Sequence, residues 1–327
     1  MRVLSGIQPS GRLHLGNYFG MMKRMIDYQE QHELYAFIVN YHALTTVFDA
    51  EQLREDTFNA ACDFLALGIN PEKSTFWIQS DVPEVTELTW ILSNVTGMGL
   101  LERAHSYKDK IAKGIIPTHG LFSYPVLMTA DILAFGGEVV PVGKDQKQHL
   151  EIARDIAERF NFTYGETFVV PKEDISDDVA TVPGTDGQKM SKSYGNSIEI
   201  FTDENALRKR VMSIVTDNTP VEEPKPIKDN VLFDIYSLFL NEKGKVELKE
   251  RFLTPGLKYG EVKQELFEII WEYFLPYRGL RNMYYNDRAE TNRILQKGAE
   301  KARIQATHYL ELARRNVGLN YIDSNRG

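Results

Sequence analysis

Along the first eighty residues, short apolar runs alternate with longer stretches of helical periodicity. Val3 to Ile7, Tyr35 to Val39 and Thr75 to Ile78 have strand length, and helices are predicted from about Leu13 and from about Glu51. That rhythm predicts an α/β domain on a parallel sheet, because each parallel strand needs a crossover to reach the next. Every run ends in polar residues: Gln8 after the first, Asn40, Tyr41 and His42 after the second, Gln79 and Ser80 after the third. Ligands of open parallel sheets bind at the carboxyl ends of the strands, so these residues are expected to share one crevice.

Between about Trp90 and Phe160 the pattern turns helical, interrupted by the strand-like Val139 to Val142. Ser123-Tyr124-Pro125 reads as a helix start, with serine as cap and proline in the first turn. Asn218 to Pro226 holds three prolines among mixed charges and reads as a loop. Beyond it Val262, Leu266, Ile269/Ile270 and Tyr273 share a helical face, as do Leu295, Ala299, Ala302, Ala306, Tyr309/Leu310 and Ala313. The expected division is a catalytic domain over 1–200, with a helical insertion at about 85–160, and a helical domain over 201–327.

Composition narrows the class. The chain has 327 residues, is 43% hydrophobic and carries a formal net charge of −8. It is long enough for a large domain and a smaller one. A single cysteine, Cys62, excludes an internal disulfide and any multi-cysteine metal site, so a metal would have to arrive with a ligand. No apolar run approaches the length of a membrane span and no charged-then-apolar leader opens the chain, which points to a cytoplasmic, membrane-free protein. The acidic average argues against nucleic acid, yet from Leu275 onward ten basic residues face five acidic ones. Charge alone favours a solvated helix face over a nucleic-acid surface.

Two segments carry candidate phosphate chemistry. Gln8-Pro9-Ser10-Gly11 turns the first strand into a helix opening near Leu13-His14-Leu15-Gly16-Asn17. Free N–H groups and the helix dipole at such a turn suit an anion, and Gly16 admits a close approach to the backbone. The turn carries neither GxxxxGK[ST] nor GxGxxG, so no P-loop or dinucleotide fingerprint is supported. Far downstream, Lys189-Met190-Ser191-Lys192-Ser193 lies between Gly184-Thr185-Asp186-Gly187-Gln188 and Gly195-Asn196. Two lysines and two hydroxyls in a glycine-flanked loop form either a mobile cationic clamp or a solvated lysine loop.

A third segment concerns an organic substrate. Tyr124, Met128 and Asp131 stand at i, i+4 and i+7 and are expected on one helical face. Among Met, Ala, Ile and Leu, a buried Asp131 needs a donor; a ligand N–H would supply one, whereas a surface position would need none. Val140 to Leu150 reads as strand, glycine turn and helix start, with Asp145 as N-cap and His149 structural.

Leu13 to Asn17 resembles the HIGH signature of class I aminoacyl-tRNA synthetases, and Lys189 to Ser193 is a full KMSKS signature. Ser5 to Gly11 (SGIQPSG) resembles the opening of the tryptophanyl-tRNA synthetases of bacterial type. The likeness is strong over about residues 3 to 200 and looser beyond. Asn17 stands where the last histidine of the signature falls, as is usual in that branch; it can donate to ribose or phosphate but carries no charge. The resemblance implies a Rossmann-like catalytic domain with a mostly helical C-terminal domain that binds the anticodon region. It implies ATP, with Mg²⁺, as substrate, held by Gln8, Pro9, Ser10, His14, Gly16, Asn17, Gly143, Lys144, Asp145, Val182 and Lys189, Met190, Ser191, Lys192 and Ser193. L-Tryptophan would meet Asp131, Tyr124, Met128, Gln146, His42 and Val142, with Asp131 accepting the indole N–H.

What the resemblance further implies is chemistry without a protein nucleophile. The tryptophan carboxylate attacks the α-phosphorus of ATP, and the adenylate then esterifies the 3′-terminal ribose of tRNA(Trp). Lys189, Lys192 and, by family position, Lys110 would stabilise the departing pyrophosphate. A homodimer is implied too, with the helical stretch around Trp90 to Leu101 as candidate interface. Three alternatives stay open on sequence: a tyrosyl-tRNA synthetase, an adenylyltransferase acting without tRNA, and an idle paralogue that binds RNA or protein.

Overall fold

Five parallel strands form one sheet in the order β3-β2-β1-β4-β5: β1 (Arg2–Ile7), β2 (Glu33–Ile38), β3 (Thr75–Ile78), β4 (Val139–Pro141) and β5 (Lys172–Asp174). The computed structural model describes every residue except Ser10, Lys113, Ile115, 142–146, 175–181 and 321–327. Val3 pairs with Leu34 on one side and Val139 on the other. The chain therefore starts in the middle of the sheet and reverses direction of growth between β1 and β4. Val3, Leu4, Leu34, Ala36, Ile38, Phe76 and Trp77 are all buried. Parallel strands are covered on both faces, which explains why they read as continuous apolar runs without alternation.

Four of the five strands match apolar runs in the sequence; β5, the run Lys-Glu-Asp, does not. It is a polar edge strand added by register with β4, Val139 opposite Lys172, and charge is ordinary at a sheet edge.

By contacts the chain divides into two units, and the division does not fall at residue 200. The first unit is Met1–Ser10, Met25–Ser176 and Asp287–Gly327; the second is Gly11–Arg24 and Asp177–Asn286. The sheet lies in the first. Its helices include α1 (Ala50–Leu67), α2 (Glu84–Ser93), α3 (His119–Leu133) and α4 (Lys147–Tyr164). Asp49 caps α1 by accepting from the N–H groups of Glu51 and Gln52, as an N-cap aspartate should. Helix α3 departs from expectation: its N-cap is Thr118, and Pro125 lies inside it. Ser123 instead donates its hydroxyl to the His119 carbonyl one turn back.

The C-terminal helix, Arg288–Asn316, belongs to the first unit because it packs on β3. Its small-residue stripe explains how. A Cβ on Gly298 would overlap the carbonyl of Phe76, and Ala299, Ala302, Ala306 and Ala313 are buried around it. Small side chains let a helix backbone approach the strand closely. The basic excess of this helix is also partly consumed: Arg288 pairs with Glu55 at 2.9 Å, Arg303 with Glu84 at 2.8 Å and Arg314 with Glu87 at 2.6 Å. These arginines answer acidic residues of their own unit, an outcome neither reading of the charge pattern had contained.

The second unit gathers Gly11–Arg24 with the helices Glu204–Met212, Val231–Ser237, Glu242–Leu253, Tyr259–Tyr273 and Leu275–Asn286. Arg208 lies 4.2 Å from the Phe267 ring centroid and bonds Gln264, fastening the first of these helices to the fourth. Tyr18 is buried; its hydroxyl shares a 2.9 Å hydrogen bond with Tyr273, and its ring meets Phe274 edge-on. The residues after the Leu13 turn, which the sequence assigns to the sheet domain, thus pack into the helical unit. The aromatic ring set that draws them there is scattered over 250 residues and has no local signature.

Candidate active site

At the carboxyl ends of β2 and β3 the polar residues do converge. Asn40 and Ser80 exchange two hydrogen bonds, Nδ2 to Oγ at 2.8 Å and Ser80 N–H to Oδ1 at 3.1 Å. Beside them Gln79 accepts the Tyr41 N–H at Oε1, 2.9 Å. That bond fixes the amide's orientation. Nε2 therefore points to Asp131, donating to Oδ1 at 2.8 Å and Oδ2 at 2.7 Å. His42 Nε2 lies 2.9 Å from the same Oδ2. A carboxylate oxygen accepts, so the imidazole donates from Nε2 and its tautomer is set.

Asp131 is 2% exposed and Gln79 1%. The carboxylate is buried, which settles against the surface position left open by the sequence, but it does not lack donors. Gln79 and His42 supply them, so a donor that a ligand N–H would bring is already present within the protein. Each carboxylate oxygen can accept two bonds. Oδ2 receives two of these contacts and Oδ1 only one, leaving Oδ1 the less committed. Gln79 is a site residue that motif reasoning passed over; its signal was its place directly after a buried strand.

Tyr124 and Met128 share the α3 face with Asp131. The Tyr124 hydroxyl is 2.5 Å from His149 Nε2, and the Tyr124 ring stands edge-on to His42 with centroids 6.0 Å apart. His149 thus holds a neighbouring side chain, the structural part foreseen for it. Met128 packs against the apolar core of this unit. Burial, with Asp81 and Asp131 nearby, pushes the Tyr41 phenol up. Val142, Gly143, Lys144, Asp145 and Gln146 lie outside the described residues, as does Ser10. Lys110 falls on the helix His105–Ala112 with its side chain likewise outside them. Gln8, exposed, and Pro9, buried, follow β1 directly.

In the second unit the two signature segments, some 175 residues apart in sequence, are bound together. Leu15 N–H donates to the Ile198 carbonyl at 3.0 Å and Ile200 N–H to that of Leu13 at 3.0 Å, making a short antiparallel bridge. Gly16 N–H points at the Met190 sulfur, 3.3 Å away. Gly11 has φ +73°, and a Cβ there would sit 3.6 Å from Lys192 Nζ. The lysine amine therefore lies over the glycine turn. Asn17 Oδ1 accepts the His14 N–H at 3.1 Å, so this side chain also secures the turn's own backbone.

Gly16 is required by the protein itself. A Cβ would lie 2.9 Å from His14 Nδ1 and 3.3 Å from the Met190 Cβ. The sequence argument expected a ligand at this glycine; the structure puts a ring and a methionine there. His14 is buried, and its Nδ1 meets no hydrogen-bond partner among the described residues. Burial, aided by the Lys192 charge, holds its pKa down at about 4, so the ring is neutral near pH 7. Met190 is buried while Lys189 is exposed and Lys192 half-buried. The Met190 N–H donates to the Val182 carbonyl at 2.9 Å, which places Val182 against the loop. Ser191 and Ser193 hydroxyls bond each other at 2.9 Å. An anchored methionine between two lysines holds their backbones in place on either side of it.

The comparisons agree with this geometry. The family model described as tRNA synthetases class I (W and Y) matches residues 1–274. A tryptophan--tRNA ligase of Fusobacterium nucleatum is 54% identical over 319 residues, spanning 97% of this chain and 98% of the relative. The crystal structure of tryptophanyl-tRNA synthetase from Campylobacter jejuni, complexed with ADP and tryptophan, superposes with a TM-score of 0.93 at 52% identity, covering 98% of this chain and all of the other. The enzyme from Mycoplasma pneumoniae follows at 0.82 and 28%, with 97% of each chain covered. A tyrosyl-tRNA synthetase from Archaeoglobus fulgidus, at 0.67 and 20%, shares the fold. With the Rossmann-like sheet, both signature segments and full-length identity above one half, the chain belongs to the class I tRNA synthetases of the tryptophan and tyrosine family, in the tryptophanyl branch.

Proposed function

We infer that the chain is a tryptophan--tRNA ligase, joining L-tryptophan to tRNA(Trp) at the expense of ATP. The observation that carries the reading is the buried Asp131 carboxylate, held by Gln79 and His42 with Oδ1 less committed, in a chain so close to enzymes of that name. An oriented acceptor in an apolar setting selects a substrate with an N–H. A site built to bond such a group rejects an analogue without it by about 10⁴ to 10⁵. Phenylalanine is thereby excluded without editing.

In the first step the tryptophan carboxylate oxygen forms a bond to the α-phosphorus as the bond to the bridging oxygen breaks, and pyrophosphate leaves with its electron pair. In the second, a hydroxyl of the 3′-terminal ribose attacks the activated carbonyl and AMP leaves. Mg²⁺ enters with ATP as part of the substrate. Lys192 and Lys189 meet the charge that builds on the departing pyrophosphate, Lys110 adds a third cation, and His14 offers a neutral Nδ1 to the nucleotide beside Gln8, Pro9, Ser10, Gly16, Asn17 and Gly143 to Asp145. Gln146 and Val142 complete the tryptophan contacts with Tyr124, Met128 and His42. Positioning and charge stabilisation do the chemical work.

ATP–pyrophosphate exchange with tryptophan and tyrosine in parallel tests this reading. Tryptophan-dependent exchange is expected; exchange with tyrosine alone transfers the assignment, and exchange with neither removes it.

Three finer points belong to the same reading. The enzyme works in the cytoplasm, which accords with the lone buried Cys62; among the described residues no helix is long and apolar enough to cross a membrane. The helical region beyond residue 200 binds the anticodon part of tRNA. The protein is a homodimer through the stretch around Trp90, where Trp90 is 71% and Met98 64% exposed. Exposed large apolar groups of that kind suit a protein interface. Sedimentation equilibrium should give twice the chain mass, and Trp90→Glu should shift it toward one.

A further inference from the structure

Asn196, which follows the KMSKS loop, stands outside every role assigned so far, yet its side chain is only 2% exposed. Its side-chain amide bonds the loop and the segment that leads into it. Oδ1 accepts the Ser191 N–H at 2.8 Å. Nδ2 donates to Asp186 Oδ1 at 2.7 Å and to the Lys189 carbonyl at 3.2 Å. The backbone joins in, as the Asn196 carbonyl accepts the Thr185 N–H at 2.9 Å. The niche is shaped for this amide: any Cβ on Gly184 would overlap the Asn196 side chain.

These bonds have a direction. Both loop contacts flank Met190, the residue that anchors the loop to the Gly16 turn. Asn196 therefore clasps the backbone on either side of the anchor, at the carbonyl of one clamp lysine and at the N–H of the residue just before the other. Asp186 is oriented by the same amide and in turn accepts the Gln188 N–H at 3.0 Å. An asparagine is required chemically, because the site needs one acceptor and two donor directions from a single planar group. Leucine supplies neither, and aspartate supplies acceptors only.

We propose that Asn196 is a positioning residue for adenylate formation, fixing the backbone that carries Lys189 and Lys192. The inference rests on the reading of Lys189–Ser193 as the pyrophosphate clamp. Its effect falls on the rate of the chemical step and leaves tryptophan binding untouched, since Asp131, His42 and Gln79 lie in the other unit.

The test is ATP–pyrophosphate exchange on Asn196→Ala and Asn196→Asp, with tryptophan affinity measured by calorimetry on the same preparations. The expected result is a fall in kcat of about 10²-fold for both, of the size that a misplacement of about 1 Å produces, with the tryptophan Kd within about threefold of wild type, because the energy at issue is spent on orientation. The double variant Asp186→Asn with Asn196→Asp restores a donor opposite an acceptor, and it should recover part of the rate lost in Asn196→Asp. Wild-type kcat in Asn196→Ala overturns the proposal. So does an equal loss of tryptophan affinity and rate, which would mark Asn196 as a general folding residue. Wild-type protein without tryptophan-dependent exchange would instead sink the clamp reading itself.

Discussion

Replacing Asp131 by asparagine keeps the shape of the side chain and removes one acceptor. In the native arrangement Gln79 Nε2 bonds both carboxylate oxygens, at 2.8 and 2.7 Å, and His42 Nε2 bonds Oδ2 at 2.9 Å. An asparagine oriented with its oxygen toward His42 keeps the Oδ2 contacts and turns its own N–H₂ to where Oδ1 stood. That group then faces the Gln79 amide and the substrate's indole N–H, donor against donor. The loss combines one hydrogen bond to a charged acceptor, about 1.5 to 3 kcal/mol, with a buried donor left unsatisfied, about 1 to 3 kcal/mol. The contributions overlap, and about 3 kcal/mol corresponds to a fall of about 10²-fold in kcat/KM for tryptophan. The KM for ATP should stay within about threefold, because the perturbation is confined to the amino-acid site. ATP–pyrophosphate exchange at varied tryptophan, then at varied ATP, separates the two. If Asp131→Asn keeps kcat/KM for tryptophan within about threefold of wild type, the indole is recognised elsewhere and the role given to Asp131 is wrong.

Other expectations follow from single contacts. Lys192→Ala should lower the activation rate about 10²- to 10³-fold, in keeping with removal of a transition-state donor; single-turnover adenylate formation measures it, and an unchanged rate contradicts the clamp. Gly298→Ala drives a methyl group into the Phe76 carbonyl and should cost about 1 to 3 kcal/mol, read as a lower urea midpoint; an unaltered midpoint would mean the helix can shift off β3 without penalty. Acidification should destabilise the protein through His14, whose pKa is held at about 4 in the fold and lies near 6.5 when unfolded. The unfolded state takes up the proton first, so this contribution is present above pH 6.5 and is lost as pH falls toward 4, at a slope of at most about 1.4 kcal/mol per pH unit. Urea midpoints at pH 7, 5 and 4 should fall less steeply in His14→Gln, and identical slopes would refute the assignment.

Much of the site was legible because its parts are local. The strand-end residues Asn40, His42, Gln79 and Ser80 follow buried apolar runs, and a parallel sheet brings strand ends together whatever the side chains are. Asp131 stood out by the mismatch between a carboxylate and its apolar neighbours on α3. Gln79 was visible as a position and not as a function, since its role depends on a bond to Tyr41 that only the folded backbone provides. Pro125 misled, because capping preference is a local bias and packing of the longer helix outweighed it.

What the sequence by itself determined is the alternation of buried strands and amphipathic helices, the two signature segments and the acidic residue on an apolar face. Each is a property of a few neighbouring residues, and elementary periodicity and burial cost suffice to read it. Tertiary structure alone decided where the chain divides. The helix Arg288–Asn316 returns to β3 through Gly298 and its alanine stripe, and the segment Gly11–Arg24 leaves the sheet for the aromatic cluster of Tyr18, Tyr273 and Phe274. Both choices are made by close packing between surfaces some 220 to 255 residues apart in sequence, where shape complementarity sets the energy and no local pattern records it.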